Sequence, residues 1–425
     1  MDMRRYARAL PTPEARRGFI LLMLMAAAFG MALAVQDNVV SNYFGDVLGL
    51  EGPQFGYITA IREVPGFLLI FLTALFYKMS IPKLTAMMLL VLAAGLMLFT
   101  FSSSFWTVAP WVVISSMGYH TVLQTQYALG LSLTTQDRAG SVLGRLTAVH
   151  NGGALAAMGA VFLIFTVIPD AFQLTFILSG LIALVAAAAV FRMPNLDDGV
   201  EQEVVAERPK LVLRRPYRYY YYLHLLDGGR MQIFFSFGLF VLVVIYGMSV
   251  REITLLLVAT KLLAMVTGPW IGNMIDLHGE RPLLGALNII YIFALAGYAL
   301  IDNVYAASFI FLVYSVIFPL SSVGSATYLR KVAVRDEIAP TLAMGVTLSH
   351  AAAIVVPVAT GFILNYVGYQ IPFLIACVFA SLTILVTRKL DPVSQRSPAR
   401  IAEDQQRLDR LSAAPGRIVA DPADG

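Results

Sequence analysis

Residues Tyr57–Ile70 read YITAIREVPGFLLI and set Arg62 beside Glu63 in a run otherwise apolar enough to lie in a membrane. A charge at bilayer depth costs about 3 kcal/mol or more, so each such residue is a functional-site candidate by default. Leu255–Thr267, LLLVATKLLAMVT, holds Lys261 at the same depth of its own run. Lys261 has no carboxylate within that run, so it needs a partner from another helix or an anionic ligand. Asp37 lies about eight residues before the end of the first apolar run, and Arg62 about nine after the start of the next. At about 1.5 Å per residue the two share a depth. An Asp37–Arg62 or Glu63–Arg62 pair is therefore expected, either as a fixed staple or as a carboxylate that exchanges a proton while the cation holds substrate.

The same chemistry recurs further on. Asp227-Gly-Gly-Arg230 places opposite charges three residues apart on one helix face, where they pair locally or form a second charged site. His120, Gln124 and Tyr127 follow one another at helical spacing as a polar stripe, and Asn38 adds an uncharged donor beside Asp37. His150 and His350 sit at matching places in two later runs and titrate in a range suited to proton relay. The candidates for substrate contact are thus Arg62, Lys261, Arg230, His120, Gln124, Tyr127 and Asn38. Those for proton coupling are Asp37, Glu63, Asp227, His150 and His350. No histidine or carboxylate lies three or four residues from His120, His150 or His350 in its helix, so local spacing predicts no metal site. No phosphate-cradling glycine loop with its lysine is present, which argues against direct ATP drive, and no cofactor or enzymatic activity is expected.

Composition dictates the elements that carry these residues. Of 425 residues 58% are hydrophobic and 13% charged, against about 25% charged in soluble proteins. Long uniform apolar runs exclude an alternating β-barrel, and the lone Cys377 excludes a disulfide framework. The chain reads as an all-α integral membrane protein with no nucleic-acid partner. Twelve spans near the roughly 20 residues that cross a bilayer can be drawn at about 18–45, 53–77, 84–101, 106–132, 141–166, 171–191, 219–246, 252–275, 282–301, 305–329, 339–365 and 370–387.

Lysine and arginine crowd the N-terminus, the loops after even-numbered spans, the linker and the tail, while loops after odd-numbered spans hold only Arg251. That bias predicts a multi-pass protein of the inner or plasma membrane with both termini cytoplasmic. Residues 1–34 imitate a secretory signal, but the apolar segment continues past Asp37 as a full span.

The expected organisation is a six-helix bundle over 1–192, a cytoplasmic linker over 193–216, a second six-helix bundle over 217–389, and a largely disordered cytoplasmic tail over 390–425 in which a short helix fits near Ile401–Leu411. The two bundles repeat one another. Gly49 precedes Arg62 by 13 positions and Gly247 precedes Lys261 by 14. Tyr127 precedes His150 by 23, and Tyr328 precedes His350 by 22.

Six plus six spans, a basic linker and internal termini resemble the major facilitator superfamily. Gly272-Asn-Met-Ile-Asp276-Leu-His-Gly279-Glu-Arg281 is similar to that family's loop signature, here between spans eight and nine. Its first-half counterpart, Ala74–Lys83, departs from the pattern, with Lys78 and Ile81 at the Asp and Gly positions. The resemblance implies that Gly272, Asp276, Gly279 and Arg281 form a conformational latch, asymmetric in this chain. It implies spans 1, 4, 7 and 10 around a central cavity, spans 3, 6, 9 and 12 outside, and a working monomer. The residues agree independently: spans 3, 6, 9 and 12 contain no Asp, Glu, Lys, Arg or His. The reading is a secondary active transporter that moves a small polar solute, an organic anion or zwitterion, by alternating access coupled to protons. The alternatives are a proton-driven exporter of amphipathic compounds and a non-transporting receptor.

Overall fold

The computed structural model describes residues 13–68, 75–76, 79–133, 139–194 and 213–412. A helix falls on each of the twelve spans: α1 (Pro13–Val47), α2 (Gly52–Phe67), α3 (Ile81–Phe101), α4 (Phe105–Ser132), α5 (Ala139–Val167), α6 (Phe172–Phe191), α7 (Arg215–Val244), α8 (Val250–His278), α9 (Glu280–Leu300), α10 (Val304–Val332), α11 (Arg335–Val367) and α12 (Gln370–Arg388). No strand occurs among the described residues. Among those residues nine helices are long and apolar enough to cross a membrane. The helices α2, α4 and α8 carry Arg62 and Glu63, His120 and Gln124, and Lys261. Lipid tolerates few polar groups, so helices with a polar face must turn it inward.

Local signals set the helix ends. Gly49 and Gly247, the landmarks of the repeat, hold matching φ values of 60° and 68° in the turns before α2 and α8. A side chain is disfavoured there, and glycine is not. Glu51 and Gln54 form a reciprocal cap at the start of α2, with Pro53 in its first turn. Ser104 and Thr107 cap α4, and Asn303 accepts from the backbone N–H groups of Tyr305 and Ala306 at α10. α10 breaks at Pro319, which cannot donate to the preceding turn.

Packing repeats as the landmarks predict. α1 packs on α5 and α6, as α7 packs on α11 and α12. α3 packs on α4 and α6, as α9 packs on α10 and α12, and α2 meets α4 as α8 meets α10. Two pseudo-symmetric six-helix bundles result, joined chiefly where α2 crosses α11 and α5 crosses α8. Without a hydrophobic drive between helices in lipid, close backbone approach supplies the contact energy. At the α2–α11 crossing a Cβ on Gly52 would stand 2.6 Å from the Gly361 carbonyl oxygen, and a Cβ on Gly361 would strike the Gly52 carbonyl in turn.

The described part of the tail, as far as residue 412, carries α13 (Pro398–Ser412), where a short helix is expected near Ile401–Leu411. Leu390 is fully buried, Tyr328 Oη donates to Gln395 Oε1 at 2.7 Å, and Ser397 N donates to the Val332 carbonyl at 3.0 Å. Asp391 accepts from the Ser394 hydroxyl and from the backbone N–H groups of Ser394 and Val393, which holds its carboxyl below the usual range. The charges that suggested disorder stand at helical spacing, with Arg400 facing both Glu403 and Asp404. Most of the linker, including 195–212, lies outside the described residues. Its end is anchored by Arg214 and Tyr217, each 2.6 Å from the Glu337 carboxylate.

Gly361→Leu is expected to cost about 1–3 kcal/mol by overpacking, read as a lower melting temperature of the purified protein. Gly159→Leu, where nothing lies within 4 Å of an added Cβ, should leave melting unchanged. Equal melting of the two variants would mean that α2 and α11 are not held in contact.

Candidate functional site

A cavity of about 850 Å³ lies between the bundles, lined from α1, α2, α4, α5, α7, α8, α10 and α11. None of its lining residues comes from α3, α6, α9 or α12. Asp37, Arg62, Glu63, His120, Gln124, Tyr127, Lys261 and His350 all face it.

Glu63 is the hub. Its Oε1 is 3.3 Å from Arg62 Nη2, the pairing with the sequence neighbour rather than with Asp37. Its Oε2 is 3.1 Å from His350 Nδ1 and 3.7 Å from His120 Nε2. The carboxylate is therefore held by α2, α4 and, from the other bundle, α11. Ser116 orients His120: His120 Nδ1 stands 3.0 Å from Ser116 Oγ and 3.1 Å from the Ser116 carbonyl, while that hydroxyl donates to the Arg62 carbonyl. The backbone allows the cluster to close because residue 66 is glycine. A Cβ there would stand 2.7 Å from His120 Nε2 and 3.0 Å from His350 Cε1.

One expectation changes here. Spacing within single helices gave no metal-ligand set, yet the fold gathers Glu63, His120 and His350 so that one ligand atom of each lies within 4.8 Å of the others. Sequence spacing sees one helix at a time, and this set draws one residue from each of three.

Asp37 and Lys261 behave differently. Neither makes a hydrogen bond or an ion pair among the described residues, although the charges of Arg62 and Lys261 both act on Asp37. Asp37 is open to the cavity, and Tyr119 of α4 shares its electrostatic surroundings.

Other candidates lie elsewhere. Arg230 is fully buried and absent from the cavity lining. It pairs with Asp227 at 2.7 Å, donates to Tyr314 Oη at 2.6 Å, and stacks 3.8 Å from the Tyr291 ring centre. It is a cation of the second bundle's core, not a substrate contact of this cavity. Asn38 turns away from the cavity and donates to Thr254 Oγ1 at 3.0 Å, bridging α1 to α8. His150 packs against Phe29 with ring centres 5.6 Å apart and stands apart from the Glu63 cluster.

Asp227 faces a second chamber of about 420 Å³ that adjoins the first at Glu63, Gln232 and His350. The side-chain surroundings of Gly272 and Asp276 lie outside the described residues. Gly279 takes a φ of 77° as the α9 cap, and Arg281 is exposed.

The fold also adds residues that spacing missed. Gln36, Tyr119, Thr260, Ser236 and Ser315 line the main cavity, and His224 lines the smaller chamber. The signal for the first three was adjacency to Asp37, His120 and Lys261. That for His224 was its place three residues before Asp227 on the same helix face.

Arg230→Ala should destabilise the protein by roughly 3–5 kcal/mol, because it strands Asp227 and breaks the tyrosine stack. Lys261→Ala should leave melting within about 0.5 kcal/mol, since no hydrogen bond or ion pair among the described residues is lost. Thermal melts of both variants check this, and near-equal losses would contradict the division into core and cavity cations.

Comparison with known proteins agrees with this architecture. The family model described as Major Facilitator Superfamily matches residues 225–422. No curated protein matches the chain. Among solved structures, the nucleoside transporter NupG superposes with a TM-score of 0.72 at 12% identity, covering 88% of this chain and 100% of that one. A bacterial homologue of the human lysosomal transporter Spinster, in an inward-facing and unoccupied conformation, gives 0.71 at 12% identity over 91% of this chain and 99% of that one. At such identities the likeness speaks to the fold. The family match covers the second bundle, and the chain as a whole, with paired six-helix bundles around an interface cavity, has the fold of these solved transporters.

Proposed function

We propose that this protein is a proton-coupled secondary transporter of a small polar solute bearing a carboxylate, an organic anion or a zwitterion. The observation that carries the reading is the pair Asp37 and Lys261. Both face the cavity with no hydrogen-bond or ion-pair partner among the described residues, while the neighbouring Arg62 and Glu63 already hold each other. A buried polar site without partners discriminates for the ligand that supplies them. Lys261 with Arg62 suits a carboxylate, and Asp37 suits an ammonium or an exchangeable proton. Gln36, Gln124 and Tyr127 offer hydrogen bonds, and Tyr119, Phe235 and Phe311 offer apolar and aromatic surface. The mixed wall fits a solute with both a charged end and an apolar body.

Alternating access follows from the two-bundle plan. Contacts between the bundles gather toward one end: Asn42 Nδ2 to the Met248 carbonyl at 2.9 Å, Gly52 on Gly361, and Phe55 on Phe240 with ring centres 4.3 Å apart. The arginine and lysine bias assigns that end to the outer face, with both termini cytoplasmic. The bundles then rock about the cavity, and Asp37 takes up and releases the proton between conformations. The groups that face Asp37 are Arg62 from α2, Tyr119 from α4 and Lys261 from α8.

The test is a thermal-shift screen of the purified protein against carboxylates, zwitterions and lipophilic compounds, followed by flux in proteoliposomes. The expected ligand carries a carboxylate, and Lys261→Ala weakens it about 10–100-fold through the loss of one charge-assisted contact. Asp37→Asn should retain exchange of solute for solute but lose accumulation driven by a proton gradient. A native flux indifferent to that gradient would end the coupling. Stabilisation by lipophilic compounds alone, equal in native protein and Lys261→Ala, would favour an exporter of amphipathic compounds instead.

A further inference from the structure

The Glu63 cluster lies beside the solute-binding groups, and its geometry poses a separate question. Both oxygen atoms near His120 Nδ1, those of the Ser116 hydroxyl and carbonyl, are available as acceptors, because the hydroxyl spends its proton on the Arg62 carbonyl. In the tautomer with its hydrogen on Nδ1, His120 turns its Nε2 lone pair toward Glu63 Oε2 at 3.7 Å, too long for a direct hydrogen bond and open to a cation between the two. His350 Nδ1 converges on the same oxygen at 3.1 Å, and Arg62 occupies the other oxygen, so Oε2 is the one left for that cation.

From this convergence we infer that Glu63, His120 and His350 form a binding site for one divalent transition-metal ion of the zinc type. Two imidazole nitrogens and one carboxylate oxygen are the donor set for borderline metals. A site for magnesium or calcium would be built from oxygen alone, and one for copper(I) from sulfur. The ligand atoms lie within 4.8 Å of one another, near the spacing that bonds of about 2.0–2.2 Å require. Ser116 supplies the outer hydrogen bond that fixes a metal-binding imidazole in the right tautomer. The fourth position opens to the cavity, where water completes a tetrahedral shell.

The ligands also decide the consequence. Glu63 and His120 belong to the first bundle and His350 to the second. An ion bound by all three ties the bundles together at mid-helix and favours the conformation described here over any that separates α2 from α11. Binding does not depend on the identity of the transported solute. Only the arrest of exchange rests on the transport reading, so the two fail separately.

The experiment uses the full-length, tag-free protein in detergent, titrated with Co²⁺ as a spectroscopic probe and then with Zn²⁺ in competition. One equivalent of Co²⁺ should produce the intense visible absorption of a four-coordinate nitrogen and oxygen site, and Zn²⁺ should abolish it. His120→Asn and His350→Asn should each weaken binding by at least about tenfold, whereas His278→Asn, at the exposed end of α8, should not. Zn²⁺ should raise the melting temperature of native protein and not that of the two cluster variants. No saturable band in the native protein would overturn the inference, and that measurement does not depend on any variant folding. Binding unchanged in both cluster variants, or lost in His278→Asn, would overturn it equally.

Discussion

A charge away from the ends of the membrane helices survives here only with a partner or with water, and the architecture follows from how each charge meets that condition. Arg230 meets it with Asp227, the Tyr314 hydroxyl and the Tyr291 face, so it packs into the second bundle's core with no exposure. Glu63 meets it with Arg62 on one oxygen and two histidines on the other. Asp37 and Lys261 meet it only through the cavity. Those two charges stand on the cavity wall uncovered by other described side chains, whereas the paired charges are packed.

The second constraint is close contact between backbones. Where lipid supplies no hydrophobic drive, the bundles join through surfaces flat enough for carbonyls to touch, as at Gly52 and Gly361. That crossing and the Glu63–His350 contact lie on the same pair of helices, α2 and α11. The contact that holds the bundles together therefore runs into the polar cluster at the cavity wall. A change in what the cluster binds bears directly on the crossing that separates or joins the two halves.

Much of this was legible from residue order. The spans, the peripheral place of α3, α6, α9 and α12, and the matched turns at Gly49 and Gly247 follow from polarity and short-range geometry. Arg62, Glu63, Lys261, Asp37, His120, Gln124, Tyr127 and His350 were singled out by intramembrane charge or polarity and do face one cavity. Arg230 carried the same signal and does not. Polarity marks a residue as needing a partner but does not say whether tyrosines or a ligand provide it. In the tail, likewise, polarity did not say which charges pair, and Arg400 pairs with Glu403 and Asp404 along α13.

By itself, the sequence determined the class of molecule, the order of its helices, the repeat, and which side chains pay a cost for their depth. Those properties depend on composition and on neighbours within a turn or two. Tertiary structure alone decided that Glu63 chooses Arg62 and two histidines over Asp37, that His350 crosses from the other bundle, and that Asn38 faces α8 rather than the cavity. Each of those outcomes depends on the rotation of one helix about its axis against another. That angle is set by packing among residues far apart in the chain, and no local pattern records it.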